Sequence, residues 1–251
     1  YLFFQGVVDL ATKFGFLSRL EFLQNWSSWL ISKVNPAIIH NIEKYYAIKK
    51  VHYLSSIEET EGDYLEFGVY TGSSFCHSIR CYRNSRKLNE FRKEDTRFIG
   101  FDSFEGFGDI EEGDEHSFYT DENFSTSFDE VDKRVKRVAK EVDYKLVKGY
   151  FKDSLKDGPK AFNISKSLII FIDSDTYSSA NEALSFCSDT IQEGTYIILD
   201  DYFSYKGNKN KGVAKAFNDL IEKKGLDVRK LLNYGMGGAV YVVSDMNKNN
   251  G

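Results

Sequence analysis

Two textures of apolar and polar positions divide this chain of 251 residues. Up to about Glu61 the apolar residues recur in steps of three and four. Leu17, Leu20, Leu23, Leu30, Ile31 and Val34 fit one helical run. Pro36 breaks it, and a second run follows through Ile42, Tyr45, Ile48 and Leu54. From Asp63 onward, short apolar runs of strand character recur at Tyr64–Val69, Arg97–Asp102, Tyr144–Lys148, Ser167–Asp173 and Thr195–Asp200. Helical or polar segments separate them, which predicts βαβ units and a parallel sheet. Two last runs, Val228–Leu232 and Ala239–Val243, are linked by Asn233-Tyr234-Gly235-Met236-Gly237-Gly238, a short glycine-rich connection that reads as a hairpin.

The expected organisation is therefore an α/β domain over residues 62–246, preceded by a helical extension over 7–61 and followed by a polar tail, 247–251. The extension reads as helices packed on their own domain, with a dimer face or an active-site lid as the other readings. Trp26 and Trp29 lie in it and are candidates for lining a substrate pocket. The acidic stretch Glu111–Asp132, with His116, Phe118, Tyr119, Phe124 and Phe128, is the least strand-like part of the second half. It is expected to be a loop over a site or a solvated excursion. The first six residues, ending in Phe4-Gln5-Gly6, resemble the remnant of a cleavable tag and are set apart from fold reasoning. The chain does not begin with Met, as expected of a piece of a longer protein.

Composition narrows the class. Apolar residues make up 41%, enough for a substantial core, and the 21 Phe and 16 Tyr argue against disorder. The formal charge is −5, with Lys and Arg spread along the chain, so no nucleic-acid partner is expected. Cys76, Cys81 and Cys187 form no disulfide framework and no zinc spacing. Cys76 and Cys81, in one predicted helix, read as packing residues, and the setting reads as reducing and cytoplasmic. The apolar stretch Phe16–Val34 is interrupted by Arg19, Glu21, Gln24 and Asn25, so no membrane span is expected.

Three motifs carry chemistry. Glu66-Phe67-Gly68-Val69-Tyr70-Thr71-Gly72-Ser73-Ser74 follows a predicted strand and precedes a predicted helix. Glycines there allow a tight turn and close approach of a ligand, and the helix offers free N–H groups, the pattern of a loop that binds an adenosine-containing cofactor. Asp102 ends the next strand, in Phe98-Ile99-Gly100-Phe101-Asp102-Ser103-Phe104-Glu105-Gly106-Phe107, where a carboxylate suits the two ribose hydroxyls. The third motif is a constellation. Asp173 and Asp175 end the fourth strand, and Asp200 and Asp201 the fifth. Neighbouring parallel strands bring those ends side by side, so four carboxylates converge and repel. A hard divalent cation, Mg²⁺ or Ca²⁺, would compensate them, since all-oxygen donors disfavour Zn²⁺. Asp173-x-Asp175 also occurs in metal-dependent nucleotide-sugar glycosyltransferases, and a cofactor-binding module without catalysis is a further alternative. A nicotinamide dehydrogenase is disfavoured because G-x-G-x-x-G is absent.

The segments Glu66–Gly72, Phe101–Gly106, Gly149-Tyr150-Phe151-Lys152-Asp153-Ser154-Leu155, Ile172–Asp175 and Asp200-Asp201-Tyr202, in that order, resemble the macrocin O-methyltransferase (TylF-like) family. These are class I S-adenosylmethionine-dependent enzymes acting on sugar hydroxyls and related groups of natural products. The resemblance implies a Rossmann-like, seven-stranded methyltransferase sheet in the order 3-2-1-4-5-7-6, with the last strand antiparallel. It implies that Glu66, Gly68, Tyr70, Thr71, Gly72, Ser73 and Ser74 hold the methionine part of the cofactor. Asp102, with Ser103 and Phe104 beside it, would hold the ribose, while Gly149, Tyr150 and Phe151 would lie near the adenine. Asp173, Asp200 and Asp201 would bind Mg²⁺, with Asp173 also facing the cofactor and acting with Asp175, the candidate base. The family commonly has Trp where Tyr150 stands and leucine where Thr176 stands. A hydroxylated small molecule, a sugar or glycosylated metabolite, is the implied acceptor, and the N-terminal helices are a candidate homo-oligomer contact.

Overall fold

A computed structural model describes residues 19–88, 95–108, 110, 112–116 and 124–246. The expected tag remnant and polar tail, and Glu111, Phe118 and Tyr119, lie outside these residues. The chain divides into two compact units, Tyr1–His40 and Asn41–Gly251. In the first, α1 (Glu21–Lys33) carries Trp26 and Trp29, three residues apart and so on neighbouring turns of one face. Asn35 then accepts the Ala37 N–H through its side chain as the next helix begins, α2 (Pro36–Ile57), with proline at the first helical position.

The second unit is built on one seven-stranded sheet in the order β3-β2-β1-β4-β5-β7-β6. Its strands are β1 (Asp63–Phe67), β2 (Phe98–Asp102), β3 (Tyr144–Lys148), β4 (Ser167–Ile172), β5 (Tyr196–Leu199), β6 (Asp227–Tyr234) and β7 (Gly238–Asp245). The first five pair in parallel, and β7 is antiparallel to both β5 and β6. This is the expected sheet, hairpin included. β1 and the apolar run of β4 are buried along their whole length, as expected of central strands covered on both faces.

Alternate residues of each strand feed two cores. On one face Leu65, Phe67, Phe101, Ile170 and Ile172 pack with α6 (Tyr177–Cys187) and α7 (Gly212–Lys224) through residues such as Leu184 and Phe217. On the other, Tyr64, Phe98, Leu168 and Phe171 pack with α2, with α3 (Ser73–Ser85) and with α4 (Phe128–Ala139). Two more features fix the lower edge and the connection after β3. Arg97 binds both Asp63 carboxylate oxygens and the carbonyls of Phe162 and Asn163, and α5 (Phe151–Ser154) is a single turn.

The helical stripe of α2 differs from the expected one. Lys44, Ala47, Ile48, Val51, His52, Ser55 and Ser56 are its buried residues, whereas Ile42 is exposed. Ile48 of the expected stripe is buried with Ala47 and Val51, and the His52 ring stacks near Tyr64 and Phe98. Cys76 and Cys81 both lie on α3, and all three cysteines are free and buried, as expected of packing residues. No described helix is long and apolar enough to cross a membrane.

The parallel register aligns the carboxyl ends of the central strands. The Asp173 N–H donates to Phe67 O (2.8 Å) and the Asp200 N–H to Ile172 O (3.0 Å), so the ladder runs on across β1, β4 and β5. Gly68 has φ +93°, and a Cβ there would stand 1.8 Å from the Asp173 carbonyl oxygen. Only glycine fits this approach. Gly68→Ala is therefore expected to lower stability by about 2 kcal/mol or more, from backbone strain and the clash together. A urea midpoint matching that of the wild-type protein would refute the close approach.

Candidate functional site

The first motif forms the turn between β1 and α3. Tyr70 takes a positive φ of 48° and Gly72 one of 74°. The two lead into the helix that begins at Ser73. Asp102, at the end of β2, spans this turn: its Oδ2 accepts the Tyr70 N–H at 2.7 Å and its Oδ1 the Phe104 N–H at 2.6 Å. The Val69 N–H is a further donor to this carboxylate, which leaves acceptor capacity for one incoming hydroxyl. Arg134 of α4 donates to Thr71 O at 2.8 Å and holds the turn from outside. The sequence reading did not include it, and its helical spacing gave no sign of that reach.

Glu66 points to the opposite face of β1 from Leu65 and Phe67 and is completely buried. Ser74 Oγ donates to it at 2.6 Å, and the Tyr64 hydroxyl donates to its other oxygen. Burial pushes its pKa up to about 7, against the opposing pull of Ser74, Tyr64 and the charge of Lys44. The second motif is split by its fold. Ser103 Oγ donates to Gly106 O and accepts the Glu105 N–H, closing a tight turn. The Phe104 ring is buried against Phe128, so the backbone of Phe104 faces the turn while its side chain belongs to the core. Gly149 and Tyr150 follow β3 at the same sheet edge. The Tyr150 ring lies against Gly108, and the Phe151 ring packs edge-on to Phe67.

The aspartates meet as the register requires. One carboxylate oxygen from each of Asp173, Asp200 and Asp201 lies within 4.8 Å of the others. Donor oxygens on a single Mg²⁺ or Ca²⁺ stand at most about twice the bond length apart, roughly 4–5 Å, so this set fits a hard cation. Burial, then the neighbouring negative charge of Asp200, raises the pKa of Asp173 well above the carboxylate range; burial, then Asp201, does the same for Asp175. Asp175 also sits at a positive φ of 61°, which turns it back toward Asp201. Ser204 Oγ donates to Asp201 at 3.0 Å, and the buried Tyr234 hydroxyl donates to Asp200 Oδ1 at 2.7 Å.

Lys44 completes the cluster and was absent from the sequence reading. Its ammonium, on a side chain 10% exposed, stands 2.6 Å from Asp200 Oδ2 and 3.0 Å from Asp173 Oδ2. Burial alone would lower its pKa, but the charges of Asp173 and Asp200 outweigh burial and hold it above the ordinary lysine value. One signal was available: a lysine on the same helical face as Ala47, Ile48 and Val51 must end in the interior or find a partner at its rim.

Part of the acidic stretch is anchored at the same edge. Asp114 is buried and accepts the Tyr177 and Ser178 N–H groups at the start of α6, where helix geometry favours an anion. Tyr205 donates to Asp114 O at 2.9 Å, and His116 packs against the Tyr205 ring. Phe124 lies between Tyr70 and Phe107. Of the described residues of this stretch, Asp114 and His116 are thus held at the start of α6 and Phe124 beside the turn.

A family model described as macrocin-O-methyltransferase (TylF) matches residues 43–229. Among solved structures the fold is similar to the O-methyltransferase NovP (20% identity, TM-score 0.65) and the calicheamicin methyltransferase CalS11 (18%, 0.60), each match covering 80% of this chain and 79% of the other. An O-methyltransferase from Bacillus cereus, solved in complex with SAH, is similar over 80% of this chain and 81% of its own, with 15% identity and a TM-score of 0.52. No curated protein matches significantly in sequence.

The Glu66 environment makes stability depend on pH. A carboxyl whose folded pKa is raised from 4.5 to about 7 stabilises the fold fully at acid pH, and that contribution is lost as pH rises through 7. Between pH 5 and 8 the wild-type protein is expected to lose on the order of 3 kcal/mol relative to Glu66→Gln. Urea unfolding of both proteins across that range measures it, and a constant difference would mean that Glu66 does not titrate there.

Proposed function

The chain belongs to the macrocin O-methyltransferase (TylF) family of S-adenosylmethionine-dependent O-methyltransferases, and from that membership we propose that it methylates a hydroxyl of a sugar or other natural-product acceptor with the help of Mg²⁺. The observation that carries the reading is the meeting of Asp173, Asp200 and Asp201 within 4.8 Å, directly across the Gly68 approach from the cofactor turn. The family match sets aside the glycosyltransferase and dehydrogenase alternatives. CalS11, to which the fold is similar, is a TDP-rhamnose 3'-O-methyltransferase, and that supports the acceptor class proposed here.

In this reading the turn Gly68–Ser74 receives the methionine part of the cofactor, Asp102 receives the ribose, and the Gly149–Phe151 edge borders the adenine. Asp173, Asp200 and Asp201 hold the cation. When bound, S-adenosylmethionine supplies an electrophilic methyl group on a sulfonium, and the divalent cation supplies a Lewis acid that makes the acceptor hydroxyl more acidic. The protein's own work is alignment: transfer needs acceptor oxygen, methyl carbon and sulfur in line, and fixing them in place removes a large entropic barrier. Asp175, two residues after Asp173 and hydrogen-bonded to Asp201, would accept the hydroxyl proton.

Labelled methyl transfer from S-adenosylmethionine to a panel of nucleoside-diphosphate sugars and hydroxylated glycosides tests the activity. Exhaustive chelation is expected to abolish transfer and added Mg²⁺ to restore it; turnover that survives chelation would overturn the metal role. Asp200→Asn is expected to lose Mg²⁺-dependent transfer while binding S-adenosylhomocysteine within a few-fold of wild type. Asp102→Ala is expected to weaken S-adenosylhomocysteine binding about tenfold or more in calorimetry, because hydrogen bonds to a charged group are lost. An unchanged Kd would remove Asp102 from the ribose site.

A further inference from the structure

We propose that Lys44 is a built-in counter-ion for the aspartate pair, and that a divalent cation enters by displacing its ammonium from Asp173 and Asp200. The inference rests on the metal reading above and concerns what the site does when no cation is present. Lys44 Nζ contacts Oδ2 of both residues, at 3.0 and 2.6 Å. The other Asp200 oxygen already accepts the Tyr234 hydroxyl. A cation that uses Asp173 and Asp200 together must therefore compete with the ammonium for the same pair of side chains.

The helix that carries Lys44 is held in place independently of the carboxylates. Ala47, Ile48 and Val51 are fully buried against the sheet, and Glu43, the preceding residue, accepts the Gly235 N–H of the β6–β7 turn at 2.6 Å. The backbone at Lys44 is thus fixed, while its unbranched stem can rotate the ammonium away by changing rotamers. Aspartates this close cannot all ionise without a nearby positive charge. Lys44 supplies that charge from within the chain and keeps the strand ends folded before loading. The same charge repels an arriving dication, so Lys44 makes binding reversible and sets its strength. It acts through the carboxylates and is a positioning residue.

Titration of Mg²⁺ alone into the full chain, by calorimetry and by melting temperature, tests the proposal. Without cation, Lys44→Met is expected to melt on the order of 10 °C below wild type, as for a broken buried ion pair. Mg²⁺ is then expected to bind Lys44→Met about tenfold or more tightly than wild type and to recover most of the lost melting temperature. A lysine with a purely structural role would give weaker binding on removal, so equal or weaker affinity overturns the proposal. Binding by neither protein overturns the metal reading and this inference together, whereas equal binding by both overturns this inference alone. Lys44→Gln, which keeps a hydrogen-bonding side chain without the charge, is subject to the same criterion should the methionine variant not fold. In the wild-type protein the Nζ ammonium resonance of Lys44 is expected to shift on Mg²⁺ addition; a resonance unmoved at saturating Mg²⁺ contradicts displacement.

Discussion

Repulsion among buried carboxylates at the ends of β4 and β5 is the constraint around which the site is organised. Parallel register brings Asp173 and Asp200 together, and the residues that follow, Asp175 and Asp201, join them. Such a cluster is costly in a protein interior unless its charges are compensated and its oxygens hydrogen-bonded. Compensation comes from three parts of the chain, two of them distant in sequence. Lys44 reaches in from α2, Tyr234 from the terminal hairpin, and Ser204 from the turn after β5. The helix and the hairpin are themselves joined through Glu43 and Gly235. The antiparallel final pair therefore does more than extend the sheet: it delivers a hydroxyl to the central acid.

A second constraint couples this cluster to the cofactor turn. Gly68 and the Asp173 carbonyl approach too closely for any side chain between them. The turn that follows β1 and the acid that ends β4 are thus one rigid unit, and the reacting groups each would hold are fixed relative to one another. Asp102 stiffens the turn from the β2 side and Arg134 from α4. Rigid placement suits a displacement whose main demand is alignment, in which a small misplacement costs much of the rate. Glu66 shows the same economy in the opposite sense. A carboxyl buried beneath the turn, held by Tyr64 and Ser74, is kept near neutrality by its surroundings.

Much of this was legible along the chain. Alternating segments gave five strands within one or two residues of their limits and the closing hairpin, because burial on both faces forces a continuous apolar run in a central strand such as β4. The four aspartates were legible because their places at successive strand ends follow from parallel register. Phe104 and the α2 stripe were not. Adjacent to Asp102, Phe104 has the position of a site residue, but its positive φ turns the ring into the core against Phe128. On α2, the buried face sets Lys44, His52, Ser55 and Ser56 beside Ala47, Ile48 and Val51, and a periodicity of apolar residues alone does not mark the polar positions that a distant surface covers.

The sequence by itself determined the sheet, its order through the family resemblance, and the convergence of acids at its carboxyl edge, since strand periodicity and strand ends are local properties of the chain. Tertiary structure alone decided which groups answer those acids. Lys44 lies 129 residues from Asp173, and Tyr234 lies 34 from Asp200. Partners so far apart carry no spacing signal. They are selected by packing, because a buried charge can be stabilised only by whatever donor the folded elements bring within hydrogen-bonding reach.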